Sequence, residues 1–89
     1  MDLRKIYREE IYEYCEKNIG KGVLFPNFTI LWPIQKKNYD KRDDITPKNL
    51  AILTSEILQE LSKEGILREV EKPEGLEFIP YGFYKILPH

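Results

Sequence analysis

The stretch TPKNLAILTSEILQELSKEGIL, residues 46 to 67, decides how the chain is read. Thr46 offers a hydroxyl to cap a helix, and Pro47 follows at the first helical position, where a missing N–H costs nothing. Leu50, Leu53, Ile57, Leu58 and Leu61 then repeat at helical spacing, so one face is apolar. Gly65 stands just past the last turn and stops the helix. The expectation is a helix over residues 47 to 64 entering a strand at Ile66-Leu67.

Downstream, residues 66 to 71 read as a short strand. Lys72-Pro73-Glu74-Gly75 has proline second and glycine fourth, which predicts a type I turn. A strand returns from Leu76 to Pro80 and resumes from Tyr81 to Leu87, with Pro80 and Gly82 marking an edge position or a bulge. The C-terminus is therefore expected to be a β-hairpin.

Upstream, Leu3, Ile6, Tyr7, Ile11, Tyr14 and Cys15 fall at steps of three and four, which predicts a helix over residues 3 to 17. Asp2 is its N-cap and Glu13–Lys17 an i,i+4 pair, while Gly20 ends it. Between the helices, Val23 to Phe25 and Phe28 to Trp32 read as extended because of Pro26, Pro33 and the β-branched and aromatic residues around them. Residues 35 to 44 read as a polar, charged loop. With 89 residues and 42% hydrophobic content, the chain closes one core and not two. The expectation is a single domain over residues 1–89, of class α+β.

The helix ending at Leu61-Ser62-Lys63-Glu64-Gly65-Ile66-Leu67, with its charged turn and aromatic strand, resembles the second half of winged-helix (winged helix-turn-helix) domains. The likeness spans residues 46 to 87. It implies a winged-helix-like fold of two main helices with a C-terminal β-hairpin, helix 47 to 64 standing as recognition helix and Glu71 to Glu77 as the tip of the wing. The chain departs from the family between residues 18 and 45, where a short second helix belongs and two prolines with an extended aromatic stretch stand instead. A small meander sheet packed on two helices is the alternative architecture.

Function is read from charge. The net charge is −1, but residues 21 to 49 hold six basic and three acidic groups, whereas residues 50 to 89 hold four and seven. Double-stranded DNA attracts clustered Lys and Arg, which only the middle segment supplies. Lys36, Lys37, Lys41 and Arg42, with Tyr39 among them, are candidates to grip a phosphate backbone. An ordinary solvated loop, partly neutralised by Asp40, Asp43 and Asp44, reads equally well. On the outer face of helix 47 to 64, Lys48, Asn49, Ser55 and Gln59 have side chains able to read base edges. The simpler reading, which weighs more, is that they are the short polar residues found on the outer face of any amphipathic helix.

Against DNA, the hairpin carries Glu69, Glu71, Glu74 and Glu77, which repel phosphates. Phe78, Tyr81, Phe83 and Tyr84 fall on both phases of the last strand, so one buried face cannot hold them all, and they are candidates for a protein interface. Two functions follow: a DNA-binding accessory or transcriptional regulator, dimeric through residues 3 to 17 or the hairpin, or a protein-interaction or inhibitor module using the acidic, aromatic hairpin.

Catalytic chemistry finds no footing in the residues. Cys15 sits in an apolar helical stripe and His89 is terminal, so the two make no nucleophile pair. With one Cys and one His, a zinc ligand set is short of members. The neighbouring acids Glu9/Glu10 and Asp43/Asp44 read as solvated charges, and Gly20-Lys21-Gly22 lacks the spacing of either nucleotide-binding motif. No enzyme, cofactor or metal is expected. A lone cysteine and the lack of an apolar run of membrane length predict a reducing, cytoplasmic setting with no membrane contact.

Overall fold

The computed structural model describes residues 2–26, 31–40 and 44–88. In chain order these form α1 (Leu3–Lys17), β1 (Val23–Leu24), α2 (Trp32–Asp40), α3 (Pro47–Lys63), β2 (Leu67–Val70) and β3 (Phe83–Ile86). The class is α+β, with a three-stranded antiparallel sheet of order β1-β3-β2. The C-terminal hairpin is the β2–β3 pair, in which Leu67 faces Ile86 and Val70 faces Phe83.

Local chemistry sets the ends of both long helices. The Asp2 carboxylate accepts from the Arg4 N–H at 3.0 Å and Thr46 Oγ1 from the Asn49 N–H at 3.1 Å, satisfying donors that have no partner within the helix. At the far end of α3, the Ile66 N–H donates to the Leu61 carbonyl (3.0 Å) and the Gly65 N–H to the Ser62 carbonyl (3.1 Å). This paired closure needs a left-handed residue, and Gly65 has φ +84°.

One core joins the helices to one face of the sheet. Tyr7, Ile11 and Cys15 from α1 meet Leu50, Ile57, Leu58 and Leu61 from α3, together with Leu24, Leu67, Tyr84 and Ile86 from the strands. On the opposite face of β3, Phe83 stacks on Phe25, with ring centroids 4.6 Å apart. Phe25 covers this second face at Phe83 alone, Lys85 on the same face being exposed, so Phe83 and Tyr84 are both buried although they are neighbours in sequence.

Five expectations are corrected. Trp32 does not end a strand and residues 35–40 are not a loop: both belong to α2. Pro33 lies in the first turn, where its missing N–H removes no helical hydrogen bond. The helix buries Gln35 and Asn38, polar residues that leave no apolar periodicity to read. Phe28 to Ile30 of the expected strand lie outside the described residues. Trp32 is 47% exposed and adds little volume to the core.

The hairpin turn falls one residue later than expected. The Leu76 N–H donates to the Pro73 carbonyl at 3.0 Å, which puts Gly75 at the third position with φ +88°, where a type II geometry requires glycine. Residues 76 to 80 are not a strand, because a second turn closes from the Ile79 N–H to the Leu76 carbonyl at 3.1 Å. Finally, β3 is the central strand and not an edge. Pro80 is accommodated because it precedes the paired residues.

Candidate functional site

Helix α3 sorts its side chains into three strips. The apolar strip enters the core. Glu56, Glu60 and Glu64 step along one flank at intervals of four and meet α1: Arg4 reaches Glu56 at 3.2 Å and Glu60 at 2.9 Å, and Arg8 pairs with Glu64. The third strip runs through Lys48, Ile52, Ser55, Gln59 and Lys63 at steps of three and four, so it lies on one outward line. Lys48, Ile52, Gln59 and Lys63 on that line are exposed and Ser55 is half-buried. The outward line carries no carboxylate, and each acid on its flank is bound by an arginine.

The C-terminal half of this line borders a cleft of about 380 Å³ against the hairpin, lined by Gln59, Ser62, Lys63, Glu69, Gly82 and Tyr84. Tyr84 closes its floor. A Cβ placed on Gly82 would lie 2.9 Å from the Tyr84 hydroxyl, so the ring occupies the space that a side chain at 82 would fill. Burial first, and then the Glu69 carboxylate paired beside it, push the Tyr84 phenol up. It stays a neutral hydroxyl at ordinary pH.

The other candidates are divided by the structure. Lys36 and Lys37 lie exposed on α2, Lys36 at 3.9 Å from Asp40 and Lys37 at 3.1 Å from Glu10. Tyr39 is 38% exposed. Lys41 and Arg42 lie outside the described residues. Lys48 and Asn49 occupy the exposed first turn of α3. Thus the basic group of α2 and the outward line of α3 stand on two different helices, and the α2 lysines already have acidic partners.

Of the aromatic set, Phe83 and Tyr84 are corrected. At 1% and 3% exposure they are core residues and present no interface. Tyr81 is half-buried. Phe78 is 80% exposed, more than any other large hydrophobic residue among those described. It sits in the loop over residues 71–82, near Glu71, Glu74 and Glu77, all exposed. That loop is braced by its two turns, by the Gly75 N–H donating to Glu77 at 3.0 Å, and by Lys72 Nζ donating to the Ile79 carbonyl.

A second groove of about 380 Å³ runs between α1 and α2, past Tyr14, Pro33 and Ile34. Its charges are matched in place: Lys17 pairs with Glu13, and Glu10 receives both Lys37 and the Asn38 amide. Among the described residues, no group of three or more His, Cys, Asp or Glu side chains could hold a metal, and no described helix is long and apolar enough to cross a membrane. Comparison with family models, with curated proteins and with solved structures gives no match.

Proposed function

We propose that this chain is a winged-helix DNA-binding domain, an accessory factor or transcriptional regulator that lays α3 against duplex DNA. The order α1-β1-α2-α3-β2-β3 supports this reading, since α2 stands where the family has its second helix and the β2–β3 loop where it has its wing. The observation that carries it is the composition of the outward line of α3. Its acids are turned to α1 and neutralised by Arg4 and Arg8. What remains outward is Lys48 and Lys63 for phosphates, Ser55 and Gln59 for base edges, and Ile52 for a thymine methyl.

Anisotropy of a labelled mixed-sequence duplex, titrated at low salt, tests the proposal. Binding is expected, with a loss of at least about tenfold in Lys48→Glu/Lys63→Glu. No binding at low salt, or binding indifferent to both lysines, overturns it.

A second reading, a protein-interaction module, is favoured by one observation: Phe78 stands exposed on a braced acidic loop. Phosphates would be repelled there, whereas a basic protein surface would be attracted. In that case Phe78→Ala and Tyr81→Ala abolish partner binding and leave the two α3 lysines without effect.

A further inference from the structure

Strand register sets two cations side by side on the sheet. Arg68 of β2 stands opposite Lys85 of β3, and Lys85 in turn opposite Val23 of β1, so the three form one row on one face. That face is turned away from the helices. Leu67, Tyr84 and Ile86 point into the core that α3 shares, and successive side chains alternate between faces. The neighbouring row on the outer face is apolar, with Val70 opposite Phe83 and Phe25 stacked on Phe83. Arg68 and Lys85 are exposed, and Lys21, also exposed, stands two residues before Val23. Among the described strand residues none on this face is a carboxylate, since Glu69, the acid of β2, stands opposite Tyr84 on the core side. Among the described residues, Arg68, Lys85 and Lys21 have no acidic partner.

Like charges set directly opposite on adjacent strands destabilise a sheet, and here no carboxylate offsets them. With Cβ atoms about 5 Å apart, a guanidinium and an ammonium can converge on the oxygens of one phosphate. The face lacks an exposed apolar centre, because Phe25 and Phe83 are buried and Val23 and Val70 half-buried. Charge without such a centre suits a phosphate backbone better than a protein interface. We propose that the outer face of the sheet is a second phosphate contact, taking a second DNA segment while α3 holds the first. The outward line of α3 lies on the side of that helix away from the core, and the basic row on the side of the sheet away from the core, so one straight duplex does not span both. The chain then bridges two DNA segments, and the second contact covers no residue of α3. This inference rests on the DNA reading of α3.

An immobilised mixed-sequence duplex, with a second labelled duplex in solution, reads the bridging at low salt. Wild type is expected to capture the second duplex, in a complex that sedimentation shows to hold one chain and two duplexes. Arg68→Glu/Lys85→Glu should lose capture at least about tenfold and keep anisotropy binding to a single duplex within about twofold. Lys48→Glu/Lys63→Glu should lose both. Circular dichroism establishes that the two variants fold. No duplex binding by wild type, or single-duplex binding lost in the sheet variant and kept in the α3 variant, would overturn the DNA reading of α3 and the bridging with it. Single-duplex binding that depends on Lys48 and Lys63 but brings no capture, capture indifferent to Arg68 and Lys85, or a complex holding two chains would overturn the bridging alone. Poly-glutamate bound by Lys48→Glu/Lys63→Glu as tightly as the duplex would overturn it too, and assign the face to an acidic protein.

Discussion

Tyr7 Oη lies 2.8 Å from Thr54 Oγ1, a buried hydrogen bond that fastens α1 to α3 across 47 residues of sequence. Gln35 Nε2 from α2 reaches the same hydroxyl at 3.1 Å, and Thr54 in turn donates to the Leu50 carbonyl at 2.7 Å. One threonine hydroxyl thus joins three helices. Thr54→Val leaves the Tyr7 hydroxyl and the Gln35 amide without this partner, and is expected to destabilise by about 2 to 4 kcal/mol. Among the described residues, Gln35 Oε1 is buried with no hydrogen-bond donor, so Gln35→Met, which removes that acceptor, should stay within about 1 kcal/mol of wild type. Urea melts of the two variants check the ordering.

The same tyrosine predicts an alkaline limit. Burial pushes the Tyr7 phenol up to about 12 from an ordinary 10. Between these values the unfolded chain releases the proton and the folded chain keeps it, so stability is complete below pH 10 and falls as pH rises toward 12. The contribution at stake is roughly 2 to 3 kcal/mol. Denaturant midpoints against pH should fall over this window, and more shallowly in Tyr7→Phe. An unchanged slope in that variant would assign the limit to other groups.

These helices show which parts of the fold the sequence discloses. The ends of α1 and α3 were legible because capping acts within a few residues: Asp2, Thr46-Pro47 and Gly65 do locally what their chemistry predicts. Helix α2 was not legible. Its buried face is made of Gln35 and Asn38, and their burial is allowed only by hydrogen bonds to Thr54, Glu10 and the Ile34 carbonyl, two of which come from other elements. The outward residues of α3 could be read from helical phase. The pairing of its acids could not, since Arg4 and Arg8 stand 52 to 56 residues away from them and meet them only once α1 docks. Phe83 and Tyr84 point to opposite faces and are both buried, because Phe25, 58 residues away, stacks on Phe83 while the core covers Tyr84, which alternation alone cannot show.

Ile57 is fully buried at the centre of α3. Ile57→Ala removes apolar contact and leaves a cavity, and is expected to lower stability by about 2 to 5 kcal/mol. A thermal melt measures it. A loss near zero would contradict the phase of α3 on which the outward line depends.

Cys15 is buried and its thiol is pushed up to about 11 by desolvation. The thiolate is the reactive form, so burial and ionisation both oppose labelling. A thiol reagent at neutral pH should modify the folded chain slowly and the denatured chain at the rate of a free cysteine. Rapid labelling of the folded chain would show that the α1–α3 contact opens readily.

The salt dependence of the proposed DNA binding distinguishes the lysines of α3 from those of α2. Each phosphate neutralised by a lysine contributes about −0.9 to the slope of log K against log salt. Lys48 and Lys63 have no acidic partner among the described residues, whereas Lys37 is held by Glu10 at 3.1 Å and Lys36 lies 3.9 Å from Asp40. A lysine already neutralised by a carboxylate releases fewer counterions from DNA. Lys48→Ala/Lys63→Ala should therefore flatten the slope by close to 2, and Lys36→Ala/Lys37→Ala by less than about 1. The reverse ranking would move the interface to α2, after which Lys41 and Arg42 follow in sequence. Phe78→Ala and Tyr81→Ala should leave the slope unchanged and affect only protein contacts. Tyr84→Ala does not serve as an interface probe, because Tyr84 is a core residue and its truncation is read first as lost stability.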